Sequence, residues 1–258
     1  MASDDARPRS SLIVPLLFML VGLGILLGLG FWQLERKAWK EGLIATLNAK
    51  LAAPASDLPT PEAWPGLTAE RDEFTRVRLT ATFLPGRDAL VFTNGSPLRP
   101  DVKGVGYWVF TPARLADGRL IAINRGFVPE AQGSAARLPA DVAMTPVDMV
   151  GALRWPEPRG AFTPADDLSS GMFFVRDIAA MAAALGWGDV PDVYIDLESP
   201  VPTGAAPRPG PLAVSLPNRH FEYAVTWFGL AASLVAVFGF WVASRRRSRL
   251  PFPDGGAP

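Results

Sequence analysis

The chain has 258 residues with 25 basic and 25 acidic side chains, so its formal net charge is zero, and it contains one histidine and no cysteine. The balanced charge gives no support for a nucleic-acid partner. The lack of cysteine excludes disulfides, thiolate metal sites, covalent haem attachment and cysteine nucleophiles, and a single histidine excludes a centre of several histidines within one chain.

A long uncharged run near the start of the chain predicts a membrane-spanning helix. Residues 12–32 contain no charged side chain and would form a helix of about 31 Å, which matches the hydrocarbon thickness of a bilayer. A cleaved signal peptide would have a shorter apolar core and a small-residue cleavage site, whereas "GFWQLERKAW" follows here. We therefore expect a retained transmembrane helix over residues 12–34.

A second apolar run near the end of the chain predicts a second transmembrane helix, over residues 220–243. Residues 221–243 would form a helix of about 34 Å. Their one charged side chain, Glu222, stands at the edge, where a carboxylate reaches water. Trp227 and Trp241 lie near the two ends, as expected for the aromatic belts at membrane interfaces.

The arginines beside the two spans predict the orientation. Four arginines lie within residues 245–249 and two within residues 7–9, so the positive-inside rule places both termini in the cytoplasm. Two aspartates near the N-terminus disagree with a mitochondrial transit peptide, which would be poor in acidic residues. We expect a multi-pass protein of the bacterial cytoplasmic (inner) membrane. Its expected parts are a cytoplasmic tail at 1–11, a periplasmic domain at 35–219 and a basic cytoplasmic tail at 244–258.

The residues between the spans are predicted to form one α+β domain, mainly an antiparallel sheet or partly closed barrel with short helices. In residues 74–83, apolar side chains alternate with arginine and threonine from Val77 onward, which is typical of a half-buried strand. Strands in succession joined by turns, such as Asp117-Gly118, favour an antiparallel arrangement. The other predicted strands are 89–95, 106–112, 119–129, 147–155, 172–177 and 192–198.

Two short helices and two connectors complete the predicted domain. A helix is expected over residues 39–52, and another over residues 177–187 with Asp177 as its N-cap and Gly186 as its stop. Residues 130–145 and 200–217 are rich in proline, glycine and alanine and are expected to be connectors.

Small residues four apart indicate that the two spans pack against each other as an antiparallel pair. Gly24 and Gly28 share one face of the first span, and Gly229 with Ser233 and Ala232 with Ala236 share faces of the second. Glycine is also simply frequent in membrane helices, which is the alternative explanation.

The chain shows no pattern of catalytic residues, so we expect no enzyme. Its one histidine lies at a membrane boundary, and no glycine-rich loop leads from a strand into a helix to bind a phosphate. The pair Asp166-Asp167 is interpreted as a solvated turn, and Arg125 as a surface or structural arginine.

His220 opens the second span and allows two interpretations. On a helix, Tyr223, Ala224 and Trp227 share its face, so a flat and largely apolar cofactor could lie there with His220 as an axial ligand. Alternatively, His220 is a hydrated boundary residue and the two aromatic residues belong to the interface belt. The residues alone leave both interpretations open.

A series of motifs in register resembles the surfeit locus protein family of cytochrome c oxidase assembly factors. The segment "GFWQLERKAWK" resembles the hallmark at the end of that family's first span. The run "YWVFTPARLADGRLIAINRGFVP" is similar to its Thr-Pro strand, Asp-Gly turn and Asn-Arg-Gly-Trp-Val-Pro ending. The segments "AFTPADD" and "MFFVRDIAAMAAALG", and then "NRHFEYAVTWFGLA", resemble its later motifs and its second-span signature. The resemblance spans residues 28 to 231.

Three positions depart from the family pattern. Phe127 and Phe173 stand where the family has tryptophan, and Arg219 stands where it often has a second asparagine. The changes keep aromatic or polar character, so they bear on individual side-chain roles more than on membership.

The resemblance implies a role in delivering haem a to subunit I of the terminal oxidase, with transient haem binding at the outer membrane interface. The family's proposed iron ligand maps onto His220, which would be the only metal contact, and Tyr223 and Trp227 would flank the haem. Our own addition is that Arg36, Lys40 and Arg219 pair with the propionates. The implied partners are subunit I, haem a synthase and the lipid bilayer.

Two other functions remain open at this point. The chain could be a scaffold that holds subunit I during assembly without touching haem. Alternatively, its outer domain could bind an unrelated lipid.

Overall fold

The computed structural model of the chain describes residues 12–133, 137–138, 144–201, 207–213 and 217–247. The predicted tail at 1–11, residues 248–258 of the predicted C-terminal tail and parts of both predicted connectors lie outside the described residues. Contacts divide the chain into two units, one comprising the chain up to Leu43 and from Pro217 and the other Ile44–Leu216. The domain boundaries at 34/35 and 219/220 stay predictions.

The described residues form helices and strands with the following bounds. The α-helices are α1 (Ile13–Ala52), α2 (Ala69–Asp72), α3 (Ile178–Leu185) and α4 (His220–Arg247), and single 3₁₀ segments lie at Pro61–Gly66 and Glu130–Gln132. The strands are β1 (Ser56–Asp57), β2 (Arg76–Phe83), β3 (Ala89–Asn94), β4 (Val105–Leu115), β5 (Leu120–Pro129), β6 (Val147–Arg154), β7 (Met172–Phe173) and β8 (Tyr194–Ser199).

Helices α1 and α4 are both long and apolar enough to cross a bilayer. At 40 residues, α1 is about 60 Å long, which is twice the hydrocarbon thickness. The prediction of a separate helix at 39–52 is wrong, because α1 continues through Ala52 without a break. No proline follows Trp32 within the helix, and Lys37 pairs with Glu41 one turn later at 2.7 Å, so nothing stops the helix there.

Five strands of the second unit form a closed barrel. They follow the order β2-β6-β8-β5-β4, and the pairing of β2 with β4 closes the ring. Pairing within the ring is antiparallel except between β5 and β8, which run parallel. Beyond the ring, β3 pairs with β4 and β7 with β3, while β1 pairs with β2. The predicted fold class, two apolar helices flanking one α+β domain that is mainly antiparallel sheet or partly closed barrel, is confirmed, and the barrel is fully closed.

Alternation along the strands divides the apolar residues between two cores. On β5, Ile121 and Ile123 point into the barrel, whereas Ala122 between them packs on the other face. The buried residues of the barrel interior are Val77, Leu79, Ala81, Ala113, Ile121, Ile123, Met149, Leu153, Val193, Ile195 and Leu197.

Helix α3 covers the outer face of the barrel and forms the second core. Its residues Ile178 and Met181 are fully buried against a group that includes Trp108, Phe110 and Tyr194. The predicted ends of this helix are confirmed. The Asp177 carboxylate accepts a hydrogen bond from the Ala180 amide at 2.9 Å, and Gly186 adopts the left-handed conformation after the last turn.

The predicted strands are confirmed with one exception. The run 172–177 keeps only two strand residues, β7, because the Phe174 amide donates to a carboxylate oxygen of Asp166 at 2.8 Å instead of to a neighbouring strand. The predicted turn Asp117-Gly118 does join β4 to β5, which pair as an antiparallel hairpin.

Buried polar groups fix the barrel wall at the middle of β5. The Asp196 carboxylate accepts from the Asn124 amide at 2.6 Å and pairs with Arg154 at 3.1 Å, and all three side chains are buried. The neighbouring Arg125 is also largely buried and pairs with the Asp88 carboxylate at 3.3 Å, while burial lowers the pKa of the Arg125 guanidinium. Arg125 is therefore structural, one of the two roles that the sequence analysis allowed.

Gly126 permits a close approach of two chain segments beside this network. Its φ is +112°, and a Cβ placed there would lie 2.2 Å from the backbone of Arg208. The Phe127 amide donates to the Arg208 carbonyl at 3.1 Å, and the Arg208 amide donates back at 2.8 Å. A side chain at position 126 would break this pairing.

Replacing Gly126 by alanine is expected to cost far more stability than replacing Gly118 by alanine. Both glycines have positive φ, but around Gly118 there is open space. Gly118→Ala should cost about 1–2 kcal/mol from backbone strain alone, whereas Gly126→Ala should exceed about 4 kcal/mol. Denaturant unfolding of the purified chain, followed by tryptophan fluorescence, measures both values. Equal losses would contradict the close approach.

Candidate functional site

The first unit is an antiparallel pair of helices, α1 and α4. Contacts join Gln33 to His220 near one end, Gly30 to Phe228 in the middle and Gly22 to Leu234 farther along. The residue numbers rise on α4 as they fall on α1, so the predicted antiparallel pairing is confirmed.

The small residue at the closest contact is Gly30, not the predicted pair Gly24 and Gly28. A Cβ on Gly30 would lie 2.6 Å from the Phe228 ring, whereas nothing lies within 4 Å of a Cβ on either predicted glycine. The Phe31 and Phe228 rings also meet edge to face at 5.4 Å. The prediction missed Gly30 because spacing shows which glycines share a face but not which face meets the partner.

His220 is the first residue of α4 and is bonded to α1. Its Nδ1 lies 2.7 Å from the amide oxygen Oε1 of Gln33, and both side chains are partly buried. In the part of the chain that the structure describes, Nε2 of His220 has no hydrogen-bond partner. The imidazole is therefore held by one nitrogen and leaves the other for a ligand.

The packing of α4 against α1 buries only part of the helix face on which a cofactor was predicted to lie. Ala224 and Ala231 are almost completely buried, at 1 % and 3 % exposure, and they share a helix face with Phe228, which contacts α1. Ala224 is therefore closed to a ligand. Tyr223 is 55 % exposed and Trp227 is partly exposed, so these two aromatic side chains are accessible beside the histidine.

The three cations proposed for propionates differ in their contacts. The Arg36 guanidinium lies 3.9 Å from the centre of the Trp39 ring, and Lys40 Nζ donates to the Pro217 carbonyl at 2.5 Å. The exposed side chain of Arg219 has no hydrogen bond or ion pair to any described residue. Arg219, which directly precedes His220, is thus the cation most available to an incoming carboxylate.

Asn218 contributes a buried acceptor without a donor. Its side-chain oxygen Oδ1 is the one buried side-chain polar atom in the described residues that has no hydrogen-bond partner. An unsatisfied buried oxygen costs about 1–3 kcal/mol, so such an atom favours binding of a group that donates to it. Asn218 precedes His220, whose Nε2 is open, by two positions in the chain.

These residues fit a haem better than a bare metal ion. Across the described ranges, no group of three or more histidine or acidic side chains could hold an ion. One imidazole with a bonded Nδ1 and an open Nε2 is instead the arrangement of an axial haem ligand. Accessible aromatic side chains and an unpaired arginine suit the macrocycle and its carboxylates.

The acidic pair of the second unit lies in a turn, as interpreted from the sequence, but of the two carboxylates only that of Asp167 is solvated, because the Asp166 side chain is 11 % exposed. The Asp167 carboxylate accepts hydrogen bonds from Ser169 and Ser170, and these bonds lower the pKa of Asp167 to about 2. Asp166 pairs with Arg159 and accepts from the Phe174 amide. Neither carboxylate is arranged as a general acid or base.

Two residues of the site were missed by the sequence analysis, Gln33 and Asn218. Each lies inside a motif quoted there, but neither was given a role. Gln33 and His220 are 187 positions apart in the chain, so only the folded helix pair reveals their contact.

Comparison with known proteins matches most of the chain to one family. The SURF1 family model matches residues 20–232. A SURF1-like protein of Monosiga brevicollis is 35% identical over 227 residues, covering 85% of this chain and 83% of the relative. A SURF1-like protein of Drosophila melanogaster is 33% identical over 246 residues, with 89% and 78% covered. Surfeit locus protein 1 of Homo sapiens is 31% identical over 219 residues, with 80% and 70% covered.

A bulky residue at Gly30 should separate the helix pair, whereas one at Gly28 should not. The isoleucine side chain of Gly30→Ile would overlap the Phe228 ring, whereas that of Gly28→Ile would lie in open space. Since the chain has no cysteine, Gly22→Cys and Leu234→Cys can be joined by a short bifunctional thiol reagent. We expect cross-linking in lipid nanodiscs to fall at least several-fold with Gly30→Ile only. Equal yields for the two isoleucine variants would contradict the observed contact.

Proposed function

The chain belongs to the SURF1 family of cytochrome c oxidase assembly factors, and from this premise we propose that it binds haem a at His220 and aids its insertion into subunit I of the oxidase. The resemblance seen in the sequence motifs is thereby confirmed. The family is one of assembly factors and not of enzymes, in line with the lack of a catalytic arrangement in the sequence.

The observation that carries the proposal is the bonding of the single histidine. His220 holds Nδ1 against Gln33 at 2.7 Å, and its Nε2 remains open within the described residues. A bound haem would supply an iron with an axial position for this nitrogen. Tyr223 and Trp227 would cover the apolar macrocycle, and Arg219 would pair with a propionate.

The position of His220 along α4 suits the two ends of haem a. The residue begins the helix, and the uncharged part of the predicted span follows it after Glu222. A carboxylate-bearing edge belongs at the depth of the headgroups, and an isoprenoid tail belongs in the hydrocarbon beyond. His220, Arg219 and the apolar surface of α4 provide these environments in that order.

A carrier must also release its cargo. A ligand passes on only if the acceptor binds it better than the donor does. One protein ligand beside a half-exposed tyrosine is a site of limited contact area, which supports transient binding. In this proposal the chain receives haem a from haem a synthase and then acts as the donor to subunit I.

The scaffold function has an observation of its own. Two hydrogen bonds join α1 to the start of α4 and the residues just before it. One lies between Gln33 and His220, and in the other Lys40 donates to the Pro217 carbonyl. His220 would then matter as a structural link, and no haem would touch the chain.

Two substitutions of His220 separate these functions. Asn has a side-chain N–H at the place of Nδ1 but no nitrogen at the place of Nε2, so His220→Asn keeps the bond to Gln33 and removes the iron ligand. We expect His220→Asn and His220→Ala both to lose the haem a absorption that the wild-type chain shows when it is purified from cells making haem a. We also expect both to lower the haem a content of the oxidase.

The scaffold function gives the opposite pattern. A colourless wild-type chain, with full oxidase assembly by His220→Asn but not by His220→Ala, would overturn haem binding and establish the structural link. At the place of Nε2 the asparagine variant lacks the nitrogen that would ligate the iron, so a loss of haem in this variant points to that nitrogen.

We place the protein in a bacterial inner membrane with both termini cytoplasmic and the barrel domain periplasmic. The arginines after residue 244 carry this orientation through the positive-inside rule. Single cysteines test it directly because the chain has none of its own. In spheroplasts, a membrane-impermeant maleimide should label Ala161→Cys at once and Ser248→Cys only after permeabilisation. Early labelling of Ser248→Cys would overturn the orientation.

A further inference from the structure

Gln33 gives the imidazole of His220 a fixed orientation and a fixed partner. The residue lies on α1, one turn beyond Gly30, and its Oε1 approaches Nδ1 to 2.7 Å. The contact depends on the packing of Gly30 and Phe31 against Phe228, because this packing sets the register of the two helices. Thus the same helix contact that closes the pair also brings Gln33 to the histidine.

The chemistry of the two groups decides where the proton lies. An amide oxygen can only accept, so Nδ1 must donate its hydrogen to Oε1. A neutral imidazole carries one ring proton, and Nε2 is then a bare lone pair. Histidines that ligate metals are commonly held in this way, with the second ring nitrogen donating to an oxygen acceptor.

We infer that Gln33 is a positioning residue, which fixes His220 as the Nδ1–H tautomer and presents Nε2 as the iron-binding nitrogen. The consequence for haem rests on the proposed function, whereas the tautomer follows from the hydrogen bond alone. Gln33 itself does not touch the haem in this inference.

The amide also sets the strength of the ligand. A carboxylate in the same place would draw the Nδ1 proton more strongly and make Nε2 a better electron donor. A neutral glutamine orients the ring but draws the Nδ1 proton less strongly, which suits a site that gives its cargo away. Gln33→Glu should therefore keep the tautomer and hold haem a longer than the wild type.

The single histidine makes the tautomer measurable without haem. In haem-free protein labelled with ¹⁵N-histidine in nanodiscs, the ring gives one Nδ1 and one Nε2 resonance, and their shifts report which nitrogen is protonated. We expect protonated Nδ1 in the wild type and in Gln33→Glu, and a mixture of both tautomers in Gln33→Leu. Thr226→Val is the matched control, since its hydroxyl donates to the Glu222 carbonyl on the same helix and does not contact Gln33.

Titration with haem a supplies the second measurement. Loss of the group that holds a ligating histidine lowers metal affinity by about 10- to 100-fold, so Gln33→Leu should bind haem a that much more weakly than the wild type. Gln33→Glu should bind haem a more tightly than the wild type, and Thr226→Val should leave the affinity unchanged. If Gln33 only held the two helices together, the haem a affinities of the variants would not follow this order. The glutamate and leucine variants would then change the packing of the helix pair, and their affinities would not correlate with the tautomer of His220.

Several results would overturn the inference. Protonated Nε2 in the wild type would show that the Gln33 amide is turned the other way and donates to Nδ1. An unchanged tautomer in Gln33→Leu, or haem affinity within twofold of the wild type, would show that Gln33 does not position the ligand. If the wild type bound no haem a, the proposed function would be wrong, and the nitrogen spectrum alone would decide the role of Gln33.

Discussion

The contact of Gly30 with the Phe228 ring is the constraint on which the candidate site depends. No other residue type fits between α1 and the ring without moving one of them, since even a Cβ would approach the ring to 2.6 Å. The helix pair therefore has one close register, and this register places Gln33 beside His220 at the point where α4 begins. A histidine alone at a membrane boundary is hydrated, whereas the bond from Nδ1 to Gln33 gives the His220 ring a fixed orientation.

The sequence revealed the large features because they follow from hydropathy and period. Two apolar runs predicted α1 and α4, and alternation from Val77 onward predicted β2, since a strand with one buried face must show this pattern. Local signals were equally sufficient at the ends of α3, where Asp177 and Gly186 act through their own backbone neighbours. Such features need no knowledge of distant residues.

The two omissions in the helix pair, Gly30 and Gln33, share one physical origin, which is contact between residues far apart in the chain. Gly30 was overlooked in favour of Gly24 and Gly28 because only the partner helix decides which face is covered. Gln33 was not recognised because its bond crosses 187 positions. The strand at 172–177 was overestimated because a side chain, Asp166, takes the place of a neighbouring strand at Phe174.

The order of strands in the barrel has a consequence for how the protein is made. Strand β8 lies between β5 and β6, so the ring stays open until residues 194–199 have been synthesised. The edges of β5 and β6, together with Ile121 and Ile123 behind them, remain exposed during translation until that moment. Strand β8 ends about twenty residues before α4 begins, so the barrel can close only when synthesis of the chain has almost reached α4 or has passed it.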